Sequence, residues 1–277
     1  MTTVIIANPK SGSFNEPMLS KCADLLHSQL GNVSVKYTET QGNAGVIASE
    51  SGADMVIAAG GDGLINEIAA GIAGKDILFS ALPFGTVNVF CREFGIPLNP
   101  IKAVKTLKTS RTRKISLGFL DDHPFVLMCG FGYDARVVKQ VVSKGYSKHK
   151  TIAHCLEGVS SLIVQYPELT LNMNEQTICA YHIIISLARL YAGNFTLSNL
   201  IKNDVLNIFV QQNKHLHALL YTTLSVAVGR GFPGTPHYAN MAKISGTDYC
   251  QLDGEYTYIG SVQHCISIKH SALTIAY

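Results

Sequence analysis

Ala58-Ala59-Gly60-Gly61-Asp62-Gly63-Leu64-Ile65-Asn66-Glu67 decides the reading of this chain. It follows a compact apolar run, Met55 to Ala59, and passes into a segment from Leu64 to Ile72 with apolar residues at helical spacing. A buried strand, a loop of three glycines around one carboxylate and then a helix is the βα turn of a nucleotide-binding sheet. Backbone N–H groups freed by such a loop donate to phosphate oxygens, and the helix N-terminus adds a favourable field. Asp62 does not attract a bare phosphate, so its use is to orient water or hold a Mg²⁺ that bridges phosphates. The loop lacks the Gly-Lys-Ser/Thr ending of a Walker A motif and does not fit Gly-x-Gly-x-x-Gly.

Strand and helix patterns alternate on both sides of this turn. Val4 to Ala7 is a short apolar strand running into Asn8-Pro9-Lys10-Ser11-Gly12. Met18 to Leu30 carries helical spacing, Val33 to Tyr37 alternates as a strand, and Ala44 to Ser51 fits a second helix. Ile77 to Leu82 reads as a strand ending in Pro83-Phe84-Gly85-Thr86-Val87-Asn88, a second turn followed by small polar side chains. This order predicts a mainly parallel sheet, with the three loops gathered beyond its carboxyl edge.

The pattern changes near Arg111. Ile115 to Phe119, Phe125 to Cys129, Leu169 to Leu171, Thr177 to Ala188, Leu206 to Gln211 and Cys265 to Lys269 all read as strands. One helical region, residues 135–164, interrupts them and carries a basic run from Lys139 to Lys150. The expected fold class is α/β plus all-β: a mainly parallel α/β nucleotide domain over residues 1–118, then an antiparallel β-sandwich-like domain with a helical insertion over 119–265. Residues 266–277 are expected to pack back on the first domain.

Composition narrows the function classes. Of 277 residues, 47% are hydrophobic and only 15% charged, which argues for substantial cores and a surface rich in neutral polar groups. A net charge of +3 is too balanced to point to nucleic acid, and it leaves self-association or a membrane surface open. Seven scattered cysteines without Cys-x-x-Cys suggest a reducing compartment rather than a disulfide framework or thiolate metal site. The start does not read as a signal peptide, and no apolar run is long enough to span a bilayer. His215 and His217 have same-face spacing if that stretch is a strand, and they are read as a polar surface pair.

The ordered series Asn8-Pro9-Lys10-Ser11-Gly12, Gly60-Gly61-Asp62-Gly63 with Asn66-Glu67, and Pro83-Phe84-Gly85-Thr86-Val87-Asn88 resembles the catalytic domain of the diacylglycerol kinase, sphingosine kinase and bacterial lipid kinase group. Gly130-Phe131-Gly132-Tyr133-Asp134-Ala135 and Gln251-Leu252-Asp253-Gly254-Glu255 extend the resemblance over nearly the whole chain. It implies ATP- and Mg²⁺-dependent phosphorylation of a lipid hydroxyl, with substrate entering between the domains. Asn8, Lys10, Ser11, Gly60, Gly61, Asp62, Gly63, Asn66, Gly85, Thr86 and Asn88 are the implied nucleotide residues. Asp253 is the implied general base and Glu255 its partner; on a strand, two residues apart, both would point to one face. In bacterial relatives the segment matching Asn203-Asp204-Val205-Leu206-Asn207 helps hold a structural Mg²⁺, here by Lys202 or Asp204.

The chain departs from the family pattern at Leu64, Val89, Asn43, Val205 and Asn207, and carries Tyr191-Ala192-Gly193-Asn194 for a Gly-Gly segment. Those departures keep open a catalytically weak lipid-binding or regulatory protein, and a kinase for a soluble acceptor stays open because the related NAD and sugar-phosphate kinases also use Gly-Gly-Asp-Gly. A lipid substrate, a cytoplasmic place with peripheral contact at the inner membrane surface, and a homo-oligomer complete the expectations.

Overall fold

The structure is a computed structural model that describes residues 1–40, 42–143 and 166–277. The chain divides into two compact units, residues 1–116 with 270–277 and residues 117–269.

In the first unit, strands β1 (Thr3–Ala7), β2 (Val33–Tyr37), β3 (Met55–Gly60) and β4 (Leu78–Pro83) form a parallel array in the order β2-β1-β3-β4. The chain's last strand completes it, with Thr274 and Ile275 pairing in parallel with Leu78 and Phe79. β1 and β3 are buried along their whole length, which is why they read as unbroken apolar runs rather than alternating ones.

Five helices complete this unit: α1 (Glu16–Leu30), α2 (Asn43–Ser49), α3 (Asp62–Ile72), α4 (Val89–Glu93) and α5 (Pro100–Leu107). Asn15 caps α1 by accepting from the Met18 N–H, and Asn99 caps α5 by accepting from the Lys102 N–H. Leu19, Cys22 and Leu26 are the buried stripe of α1. α3 begins at Asp62, two residues before the expected Leu64, so Asp62 and Gly63 of the glycine loop open the helix, with Gly61 at its N-cap.

The second unit is an antiparallel sandwich. β5 (Thr112–Leu120) enters it and pairs with β6 (His123–Phe125). β7 (Met128–Gly132) is followed by α6 (Tyr133–Ser143), and after the insertion come β8 (Leu169–Met173), β9 (Gln176–Ala180), β10 (His182–Ser186) and the short pair β11 (Leu190–Tyr191) and β12 (Phe195–Thr196). β13 (Leu206–Gln211), α7 (Leu216–Ala227), β14 (His237–Ala239), β15 (Met241–Ser245), β16 (Tyr249–Leu252), β17 (Glu255–Tyr258) and β18 (His264–Ala276) complete the chain. One sheet runs β14-β13-β10-β7-β16-β17; the other joins the first half of β18 to β15, β8 and β9. Their inner faces share one core: Phe131, Ile183, Ile208 and Cys250 from the first, Leu169, Leu171, Ile244 and Ile266 from the second.

The fold class is thus a mainly parallel α/β region followed by an antiparallel β-rich one. Two local expectations are corrected. The stretch Thr177 to Ala188 is two strands, because the backbone turns at Tyr181 between β9 and β10. His215 and His217 lie at the start of a helix, with their rings stacked at 5.6 Å, since twelve residues without a charge or turn signal make a half-buried helix as readily as a strand. Most of the helical insertion, residues 144–165, with Lys144, Lys148, His149 and Lys150 of the basic run, lies outside the described residues. Among the described residues no helix is long and apolar enough to cross a membrane.

Ile57, fully buried at the centre of β3, and the Asn15 cap give the stability scale. Urea unfolding should show Ile57→Ala losing about 2–5 kcal/mol through the cavity it leaves. Asn15→Ala should lose only about 1 kcal/mol, the worth of one cap.

Candidate functional site

The three loops of the first unit meet at the carboxyl edge of its sheet. Asn8 Oδ1 accepts from the Lys10 N–H at 2.9 Å, and the Asn8 carbonyl accepts from the Ser11 N–H at 3.0 Å, which folds Asn8–Gly12 into a tight turn. The Ser13 N–H donates to the Phe84 carbonyl at 3.0 Å, joining this turn to the third loop. A Cβ on Gly85 would collide with the Gly61 backbone and with Asn88 Oδ1, so the second and third loops approach as closely as two backbones can.

Asp62 fixes that approach. Its Oδ2 accepts from the Val89 N–H at 3.0 Å and its Oδ1 from the Phe90 N–H at 2.9 Å. One carboxylate in the first turn of α3 thereby caps α4. Asn88 sits beside it in the left-handed region with φ 53, bonded by its side chain to both the N–H and the carbonyl of Gly85. Asn66 lies one turn beyond Asp62 on α3, and Lys10 is exposed at the first turn. Glu67 reaches elsewhere, accepting from the Ala44 N–H at the start of α2 at 3.3 Å.

Two family departures acquire a physical account here. Leu64 is 5% exposed and packs beneath Gly60, where apolar volume is what the loop requires. Val89 serves Asp62 through its backbone N–H, which any residue but proline supplies.

Asp253 and Glu255 belong to the second unit, and they do not share a strand. Asp253 and Gly254, with φ 48 and 88, are the two central residues of the hairpin turn joining β16 to β17, whose register pairs Leu252 with Glu255. The Asp253 carboxylate accepts from three successive backbone N–H groups, those of Val126, Leu127 and Met128, at 2.7, 2.8 and 2.8 Å. It therefore ties this turn to the start of β7. Glu255 is exposed beside it.

A hydrogen-bond chain leads inward from the turn. The Gly254 N–H donates to Gln251 Oε1, Gln251 Nε2 donates to Asp134 Oδ2 at 2.8 Å, and the Tyr191 hydroxyl donates to Asp134 Oδ1. Gly130 permits this, because a Cβ there would fall on the Asp134 carboxylate. Burial pushes the Asp134 carboxyl up to about 6, while the bonds from Tyr191 and Gln251 hold it down. Asp134 lies in a quoted motif without an assigned role, and Tyr191 stood only as a departure. The signal for Asp134 is a carboxylate two residues after a Gly-x-Gly strand end, where Gly130 leaves room for it.

Tyr133 and Tyr191 are also walls of an apolar pocket between α6, α7 and β10, lined further by Val137, Phe195, Val226 and Phe232. His182 forms part of the lining, 4% exposed, edge-on to Tyr133 and Phe232 at 5.1 and 5.2 Å. Neither of its ring nitrogens has a hydrogen-bond partner, and burial lowers its pKa to about 3. This pocket was not legible in the sequence, because its walls come from four distant segments.

Asp204 is exposed in the turn before β13 with φ 56, and Asn207 is buried just after it. Among the described residues no group of three or more His, Cys, Asp or Glu side chains is placed to hold a metal ion.

Comparison with known proteins gives a concordant picture. Residues 2–120 match the family model described as the diacylglycerol kinase catalytic domain. A diacylglycerol kinase of Bacillus subtilis is 34% identical over 167 residues, 57% of this chain and 54% of the relative. A protein of Klebsiella pneumoniae named "Probable lipid kinase YegS-like" is 30% identical over 167 residues, 58% of this chain and 53% of its own. The chain thus spans about half the length of the curated relatives it matches. The crystal structure of a diacylglycerol kinase from Bacillus anthracis superposes with a TM-score of 0.83 at 20% identity, covering 100% of this chain and 96% of the other. In the sequence of its first unit and in the fold of the whole, this chain is similar to the diacylglycerol kinase catalytic-domain group.

Proposed function

We propose that this protein is an ATP-dependent kinase for a lipid hydroxyl, that of diacylglycerol or a related long-chain alcohol. The observation that carries the reading is the apolar pocket of the second unit, linked through Asp134 and Gln251 to the turn that bears Asp253 and Glu255. Such a pocket, apolar over most of its lining, suits an acyl chain better than a sugar or a soluble nucleotide. The loops of the first unit are assigned the nucleotide: backbone N–H groups at the N-terminus of α3, with Asn8, Ser11, Thr86 and Asn88 around them.

The donors around these loops, the Asp62 carboxylate and the Ser11 and Thr86 hydroxyls, are hard oxygens of the kind that suits Mg²⁺. Asp62 is the residue we assign to it, and the ion when bound would offset charge on the phosphates. Asp253 is assigned to accept the acceptor hydroxyl's proton, with Glu255 beside it to orient that hydroxyl. The pocket-lining Tyr133 and Tyr191 position the acyl end, and the apolar walls exclude water from it.

The lipid must leave a bilayer, and α7 offers a face for that. Its inner side gives Thr222 and Val226 to the pocket, while Tyr221, Leu224 and Val228 are exposed on the outer side. The helix carries no charge, and Lys214 and Arg230 bracket its ends, so we assign this face to an anionic bilayer surface. In sedimentation with phosphatidylglycerol vesicles, the double variant Tyr221→Ser, Leu224→Ser should bind about tenfold more weakly. Equal binding by the two proteins would remove α7 from the membrane contact.

The transfer itself is tested by incubating the protein with labelled ATP, Mg²⁺ and dioctanoylglycerol. Label should pass to the lipid, and Asp253→Asn should abolish the transfer. Because Asp253 also receives three N–H groups, that variant should lose about 1–3 kcal/mol of stability, so it is assayed well below its unfolding midpoint. Folded Asp253→Asn protein that still transfers at a tenth of the normal rate or more would refute the base assignment. Lipid binding without any labelled product would favour the regulatory reading instead.

The buried imidazole adds a pH signature. His182 is neutral in the folded chain down to about pH 3, whereas its ordinary value is 6.5, so between these limits the unfolded chain binds the extra proton. Stability from this group is therefore present above pH 6.5 and falls as the pH drops through the window. Relative to His182→Phe, the wild type should lose about 2 kcal/mol of unfolding free energy between pH 7 and pH 5. A difference that stays constant across that range would mean the imidazole is solvated.

A further inference from the structure

Asn207 is fully buried at the start of β13, and its side chain is the centre of the loop that precedes it. Nδ2 lies 2.9 Å from the Lys202 carbonyl oxygen, 3.0 Å from that of Val205 and 3.1 Å from that of Ser186. Oδ1 accepts from the Lys202 N–H at 2.8 Å. A side-chain amide nitrogen carries two hydrogens, so three carbonyl oxygens share them around a single point. The amide has only one possible orientation, because the reverse would set Oδ1 against three carbonyl oxygens and Nδ2 against an N–H.

Backbone oxygens converging on one point are how a protein loop presents itself to a hard cation. Here the point is occupied by the positive end of an amide dipole. The resemblance implies a structural Mg²⁺ in this segment, held by Lys202 or Asp204, and the donor set does not fit it. Mg²⁺ needs oxygens at about 2.0–2.1 Å in a near-octahedral shell. The carbonyls of Lys202 and Val205 instead face Nδ2, whose hydrogens would repel a second positive charge at the same place.

We propose that in this protein the Asn207 side-chain amide takes the place of a divalent cation, so that the loop from Lys202 to Asn207 is held together without metal. An aspartate at this position would set a carboxylate oxygen against the same carbonyls, and only a bound cation would relieve the repulsion. The neutral amide satisfies all of them at once. Any effect of Mg²⁺ on this chain then acts through the nucleotide loops of the first unit rather than through the sandwich.

Thermal unfolding without nucleotide tests this. The wild-type midpoint should differ by less than about 1 °C between EDTA and millimolar MgCl₂, because nothing in the sandwich binds the ion. Asn207→Asp should unfold several degrees lower in EDTA, on the order of 5 °C for a chain of this size, and millimolar Mg²⁺ or Ca²⁺ should restore most of that loss. A variant that folds only when the cation is supplied gives the same answer. A wild-type midpoint that falls in EDTA and returns with Mg²⁺, but not with added NaCl, would overturn the proposal. So would folded Asn207→Asp protein whose midpoint ignores both cations. The wild-type comparison stands alone if the variant fails to fold under every condition. None of these readouts involves phosphotransfer, so they remain separate from the fate of the kinase reading.

Discussion

The carboxylate of Asp62 receives the backbone N–H groups of Val89 and Phe90 from across the loop edge of the first unit. That pair of bonds joins the glycine turn after β3 to the turn after β4, and the Gly61–Gly85 approach depends on it. Two glycine backbones without a Cβ gain little packing where they meet, so what holds them is a charge-assisted bond to otherwise orphaned helix N–H groups. Without it α4 loses its cap and the third loop loses its distance from the first two. The phosphate cradle we propose is thus a consequence of one carboxylate's position.

The second unit repeats this device with a different carboxylate. Asp253 stands in a tight hairpin turn and gathers three successive N–H groups from the start of β7. β7 in turn leads into Asp134 and the pocket wall, so the turn, the buried carboxyl and the apolar cavity form one bonded assembly. A carboxylate with a holding role and a proposed chemical role is well placed for both, since the same bonds that anchor the turn also fix where its oxygens point.

Asn207 is the same idea with the charge removed. Its amide satisfies three carbonyls and one N–H inside the sandwich, where unpaired polar groups are costly. In all three places a short polar side chain organises a loop by bonding to its backbone. Substitution at neighbouring positions, as at Leu64 and Val89, is then tolerated, because the backbone groups remain.

The sequence by itself determined the order of elements in the first unit, since strands buried on both faces must be unbroken apolar runs and their loops must carry glycine. It also marked Asp62, Asn88 and Asp253 as candidates, and the left-handed backbone at Asn88 and Asp253 is a local demand that Asn and Asp meet readily. It put His215 and His217 at strand spacing where the chain begins a helix, because two residues in alternation do not separate the two. Only the tertiary structure decided what those side chains hold: that Asp253 sits in a turn and not on a strand, that Asp134 is bonded to Tyr191 and Gln251, and that His182 lies without a polar partner at the pocket. The physical reason is range. Turns are set by neighbours a few residues away, whereas a pocket and its buried polar groups are set by segments more than a hundred residues apart, whose meeting no local pattern records.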